Sequence, residues 1–130
     1  MQIVVDGNDG TGKSTIVEWL RALGYNVTDR GVPTRMTDDP TVRPKQGEVY
    51  IILDAPVDVS RARLEAAGKD LTEKYHTVED LTHYRERFRE VATHLLNCVV
   101  IDTTGSIDQT RTLITQALTR FDLKSPHKNG

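Results

Sequence analysis

The chain has one cysteine, Cys98, so an internal disulfide is excluded and the sequence suits a reducing compartment. It has no apolar run of membrane-spanning length and no basic flank before its first apolar residues, which leads us to expect a soluble, cytoplasmic protein. Net charge is only −2, too small for a global pull toward nucleic acid or an anionic membrane surface. Aromatic residues are few, yet 37% hydrophobic against 28% charged residues is ample for a folded core and too apolar for a disordered chain. At 130 residues that core is a single one. We expect one domain over residues 1–123, followed by a disordered tail over residues 124–130. Cys98 lies in an apolar run and reads as a buried structural thiol, not a nucleophile.

What is present alternates in type. Ile3-Val4-Val5 reads as a short buried strand. From Lys13 to Leu23, Ile16, Val17, Leu20 and Leu23 share one helical face, and Gly24 is a stop signal. Tyr25 to Thr28 is a weaker strand ending at Asp29-Arg30. The stretch from Gly31 to Gly47, with Pro33, Pro40 and Pro44 and little apolar periodicity, reads as one long loop, either a functional cover of the acceptor side carrying Arg35, Arg43 and Lys45 or a partly disordered surface connection. Glu48 to Leu53 is the strongest strand, and Pro56 suits the first turn of a helix running to Ala67. After a polar segment, Thr77 with Asp80 predicts a capped helix whose face is Val78, Leu81, Tyr84, Phe88, Val91 and Leu95. Cys98 to Ile101 is a further strand, and Ser106 with Gln109 caps a last helix carrying Ile107, Ile114, Ala117 and Leu118. The alternation predicts an α/β fold: a small parallel sheet of about four strands with helices on both faces. Ligands in such sheets sit at the carboxyl ends of the strands, where Asp29, Asp54 and Asp102 fall.

The first of those ends carries the most specific signal. Gly7-Asn8-Asp9-Gly10-Thr11-Gly12-Lys13-Ser14 matches, in full, the pattern of a loop that wraps nucleoside triphosphate phosphates. Its glycines allow positive φ and bring successive N–H groups onto phosphate oxygens. The following helix adds its N-terminal amides and dipole. We assign triphosphate binding to Gly7, Asn8, Gly10, Thr11, Gly12, Lys13, Ser14 and Thr15. Lys13 places a cation on the β and γ phosphates, and the Ser14 hydroxyl ligates Mg²⁺. ATP is the expected donor.

These residues resemble the thymidylate kinase family of nucleoside monophosphate kinases, in a shortened form. The likeness rests on the loop with its acid at Asp9, on Asp29-Arg30 at a strand end, on Leu53 to Val59 followed by Arg61 and Arg63, and on the lid-like segment Lys69 to Tyr75 before the helix with Phe88 and Arg89. The resemblance implies that Asp9 approaches the acceptor, that Arg30 holds the acceptor phosphate, and that Asp29 sits near the metal and the reacting oxygens. Lys13, Asp9, Asp29 and Arg30 are thereby the candidate catalytic residues, with Ser14 and Asp29 on the metal. The chain departs from the family between its first helix and the Glu48 strand, where a strand–helix portion is missing. Lys69 and Lys74 stand where lid arginines are expected.

The implied activity is ATP-dependent phosphoryl transfer to a nucleotide, foremost a deoxynucleoside monophosphate. A kinase of a hydroxyl on a nucleoside, modified base or polynucleotide is the alternative, and a non-catalytic nucleotide-binding module is the alternative of another class. Nucleic acid is not the favoured partner, no membrane partner is expected, and a homodimer stays open. Asp9 also suits a plain turn, and Asp29-Arg30 a plain ion pair. Asp54 and Asp102 are either metal-water ligands or helix caps. Arg85, Arg87 and Arg89 read as mostly solvated, with at most one or two reaching phosphate, and Trp19 and Tyr25 as core or near-core. The histidines lack metal-ligand spacing, so no zinc site is expected. Thr103-Thr104-Gly105 reads as a donor-base loop or a simple strand-to-helix turn.

Overall fold

The computed structural model describes residues 2–30, 32 and 49–121. Its elements run in the order β1 (Gln2–Gly7), α1 (Lys13–Ala22), β2 (Asn26–Asp29), β3 (Val49–Asp54), α2 (Val57–Ala66), α3 (Val78–Ala92), β4 (Cys98–Asp102) and α4 (Ile107–Arg120). The expected loop over 31–47, with Arg35, Arg43 and Lys45, lies outside the described residues apart from Val32, and so does the expected tail. Among the described residues no helix is long and apolar enough to cross a membrane.

The four strands form one parallel sheet in the order β2-β1-β3-β4. The runs of the central strands β1 and β3 are buried on both faces, as a parallel sheet requires, whereas on the edge strand β4 Val100 is 41% exposed. On one face Ile3, Val5, Ile51, Leu53 and Ile101 pack against Ile16, Val17 and Leu20 of α1 and Ile114, Ala117 and Leu118 of α4. On the other, Ile52 meets Phe88 and Val91 of α3, together with Val32. Each fully buried aliphatic side chain stabilises the fold by about 1.5–3 kcal/mol. α2 lies against α3.

Helix α3 departs from expectation in its apolar face and in where it ends. The apolar face of α3 is narrower than read, because Val78 falls on the first turn and is 54% exposed. Leu95 follows the helix and still packs on the core. The α4 start is as expected: Ser106 and Gln109 exchange both capping bonds. Thr77 makes only one, accepting from the Asp80 amide, while the Asp80 carboxylate accepts from Tyr75 N at 2.8 Å.

Register brings the strand ends level: Val5 pairs with Asp29, Gly7 with Leu53, and Asp54 with Asp102. From β1 the chain goes to β2 on one side and to β3 on the other. That reversal opens a crevice at the carboxyl end of β1.

Candidate functional site

The loop from Gly7 to Gly12 fills that crevice, and its glycines answer to different demands. Gly10 has φ +82°, and a Cβ there would lie 2.5 Å from the carbonyl oxygen of Ser60 on α2. Gly12 has φ +90° at the N-cap of α1, and a Cβ there would meet nothing within 4 Å. One glycine lets α2 approach; the other faces open space. Thr11 Oγ1 donates to Asn8 O at 2.6 Å and closes the loop on itself. Asn8 Nδ2 donates to Leu81 O at 2.8 Å and ties the loop to α3.

No side chain caps α1, and its first turn holds no acid. Its leading amides and dipole are thus left for an external anion. Ser14 and Thr15 are exposed on that turn. Lys13 Nζ folds over the loop, donating to Gly7 O at 2.8 Å with an Asp6 carboxylate oxygen at 3.7 Å. Asp6 is buried and also accepts from Gly7 N at 2.8 Å and Val32 N at 3.3 Å.

Asp29 and Arg30 are exposed at the end of β2. Arg30 N donates to Val5 O at 2.9 Å, and Arg30 has φ 61°, a left-handed conformation that costs a non-glycine residue about 1–2 kcal/mol. Asp29 and Arg30 therefore stand beside the strand that feeds the loop. Among the described residues no three His, Cys, Asp or Glu side chains gather as a metal cage.

Asp54 spends its carboxylate on protein. Arg85 Nε reaches Oδ1 at 2.8 Å, Arg85 Nη2 reaches Oδ2 at 3.2 Å, and Arg89 Nη2 lies 3.4 Å from Oδ2. The hydrogen bond to Asp54 raises the Arg85 pKa above its ordinary value. Asp102 turns to its own loop, accepting from the Thr104 amide and hydroxyl, which hold its carboxyl below the usual range. Lys69 and Lys74 are exposed, with Lys74 Nζ 5.0 Å from the centre of the Tyr75 ring.

Three residues stand at the site to which sequence reading assigned no role there, although Arg63 belonged to the family resemblance. Arg63 on α2 donates to Gly10 O at 3.3 Å, to Thr103 Oγ1 at 3.3 Å and to the Thr103 carbonyl. It walls two adjoining clefts: one of about 370 Å³ with Asp9, Gly10, Lys13 and Ser14, the other of about 300 Å³ with Thr11, Thr103, Gly105 and Ile107. Its spacing from Ser60, one helical turn earlier and packed under Gly10, was the available signal. His76 is buried, with Nε2 3.1 Å from Asp9 Oδ2. Asp6 is the third.

No family model matches the chain. A curated relative, the bifunctional cordycepin biosynthesis cluster protein 3 of Cordyceps militaris, is 34% identical over 113 residues, covering 66% of this chain; the chain spans 13% of that protein. Among solved structures, deoxyadenosine kinase from M. mycoides with bound dCMP and dCDP superposes with a TM-score of 0.72 over 93% of this chain and 100% of that one, at 16% identity. The chain has the P-loop kinase fold. The YorR protein of Bacillus subtilis, solved with phosphorylated GDP, has the same architecture: TM-score 0.68, 16% identity, 95% of this chain and 99% of the other. These likenesses show the fold; they do not show the thymidylate kinase family expected from the sequence.

Proposed function

We propose that the chain, acting as a single domain over residues 1–123 in the cytoplasm, transfers a phosphoryl group from ATP to a nucleoside or nucleotide, with a deoxynucleoside monophosphate as the first acceptor. One observation carries the reading: a complete phosphate loop at the carboxyl end of the central strand, with Lys13 held at its mouth and Asp29-Arg30 alongside. Phosphoryl transfer asks a protein for positioning and charge more than for covalent chemistry. Loop amides and the α1 N-terminus bind the β and γ phosphates, and Lys13 exchanges Gly7 O for phosphate oxygens. Arg30 holds the acceptor phosphate, and Asp9 orients the acceptor. The cleft between Thr11, Arg63 and Thr103 takes the donor base.

Mg²⁺ keeps its waters and takes one or two protein oxygens beside phosphates, so the expected metal needs no cage of protein ligands. Ser14 and Asp29 are the residues that would hold it. Bound there, Mg²⁺ supplies charge neutralisation on the phosphates.

The likeness to deoxyadenosine kinase favours a second acceptor, the hydroxyl of a deoxynucleoside. That reaction needs a carboxylate to accept the hydroxyl proton, a role open to Asp9. A coupled assay with ATP and GTP against deoxynucleosides, their monophosphates and DNA separates the readings. Transfer to a monophosphate alone supports the first, and transfer to nucleosides alone supports the second. Triphosphate binding without transfer to any acceptor leaves a binding module.

A further inference from the structure

The segment between α2 and α3 is exposed at Lys69, Asp70, Thr72, Glu73 and Lys74, yet it turns one side chain, His76, into the protein. Tyr75 immediately before it has φ 73°, a left-handed backbone that redirects the chain, and its amide is held by the Asp80 carboxylate. Arg61 Nη1 fastens the same segment from α2, donating to Leu71 O at 3.2 Å and His76 O at 2.8 Å. Only 9% of the His76 side chain is exposed.

Both ring nitrogens of His76 face acceptors. Nδ1 lies 3.0 Å from Asp70 O and 3.5 Å from a Glu73 carboxylate oxygen. Nε2 lies 3.1 Å from Asp9 Oδ2. Each ring nitrogen donates where it bears a proton, and a proton on Nε2 makes a charge-assisted bond to the Asp9 carboxylate. One oxygen of Asp9 is thereby anchored, while its side chain stays 36% exposed toward the cleft.

We propose that His76 is a positioning residue, fixing the Asp9 carboxylate for the acceptor and locking the 69–77 segment to the phosphate loop as a wall of the site. The proposal rests on the kinase reading above. His76 acts through Asp9, so its loss registers on the acceptor and not on ATP.

His76→Asn keeps a donor for Asp70 but is too short for Asp9, whereas His76→Gln reaches Asp9. With the full chain, His76→Asn is expected to raise the acceptor KM about tenfold, the size of one lost charge-assisted bond. The ATP KM should stay within about twofold and His76→Gln should recover most of the loss. Combined with Asp9→Ala, His76→Asn should add nothing further. Amide exchange at residues 9–12 and 69–77 should quicken together in His76→Asn. An unchanged acceptor KM, an equal rise in the ATP KM, or additive losses overturn the positioning role. Unchanged exchange overturns the link itself, whether or not the parent transfers phosphate. A parent that transfers nothing overturns the kinase reading and the acceptor role with it, while exchange still decides the link.

Discussion

Arg85 grips Asp54 by both carboxylate oxygens, joining the middle of α3 to the carboxyl end of β3. The Asp54 side chain is 13% exposed and that of Arg85 25%, so the pair is screened much less than a surface ion pair. Arg85→Ala leaves that carboxylate with Arg89 at 3.4 Å. We expect a loss of about 2–4 kcal/mol in unfolding free energy, since a mostly buried charge loses its fork. Arg85→Lys should restore less than half, because an ammonium cannot contact both oxygens in that geometry. Urea unfolding followed by circular dichroism checks this, and a loss below about 0.5 kcal/mol would class the pair with surface ion pairs.

Lys13→Ala should abolish phosphoryl transfer with the fold intact. Removing a preorganised charge from the transferring oxygens costs roughly 3–4 kcal/mol, or several hundredfold in rate. The variant is measured in the coupled assay beside a circular dichroism spectrum. Activity within tenfold of the parent sinks the assignment.

Arg30→Ala should raise the acceptor KM far more than the ATP KM, by about tenfold or more. Initial rates with each substrate varied in turn decide it. A shift confined to ATP moves Arg30 to the donor side.

The two loop glycines should respond differently. Gly10→Ala places a Cβ 2.5 Å from Ser60 O in a left-handed backbone, so α2 must retreat. We expect about 3 kcal/mol of lost stability. Gly12→Ala meets open space and should cost only the backbone strain, about 1–2 kcal/mol. Thermal melts of both variants test the ordering; equal losses would mean that the approach of α2 is not what Gly10 serves.

The features legible in the sequence are those that local physics decides. A β-branched run can only be a buried strand here, and the glycine pattern before Lys13 dictates a turn onto a helix. The Ser106–Gln109 box closes within one helical turn. The features missed depend on residues far apart in the chain. His76 meets Asp9 across 67 positions, and Arg63 meets Gly10 across 53, so no spacing rule encodes either contact. Thr77–Asp80 shows local logic yielding to a neighbour: the left-handed Tyr75 offers its amide to Asp80 first. Arg85, read with Arg87 and Arg89 as mostly solvated, is instead half-buried on Asp54, while Arg89, four residues on along the same helix face, stays exposed and lies 3.4 Å from the same carboxylate.

Cys98 titrates late. Burial pushes its thiol pKa from 9.0 up to about 11. Between those values the unfolded chain has lost the proton that the folded chain keeps, so stability should fall as pH rises through that window. Below pH 9 the thiol should contribute no slope. Thiol-reactive dye at pH 8 should label the native protein far more slowly than the urea-unfolded chain. Equal labelling rates would place Cys98 in solvent.

The central pairing of the sheet sets an order of assembly. Ile3 lies against Val49, and Gly7 against Leu53, so the strand that feeds the phosphate loop waits for a partner made much later in the chain. Gly10 rests on α2, and Arg63 reaches Thr103 beyond β4. Closing that much chain carries an entropic cost before any contact rewards it. A chain still emerging from the ribosome therefore holds the whole phosphate-binding sequence long before it holds a phosphate-binding site. A triphosphate bound as proposed would be a ligand of the finished sheet and by mass action would stabilise it against unfolding.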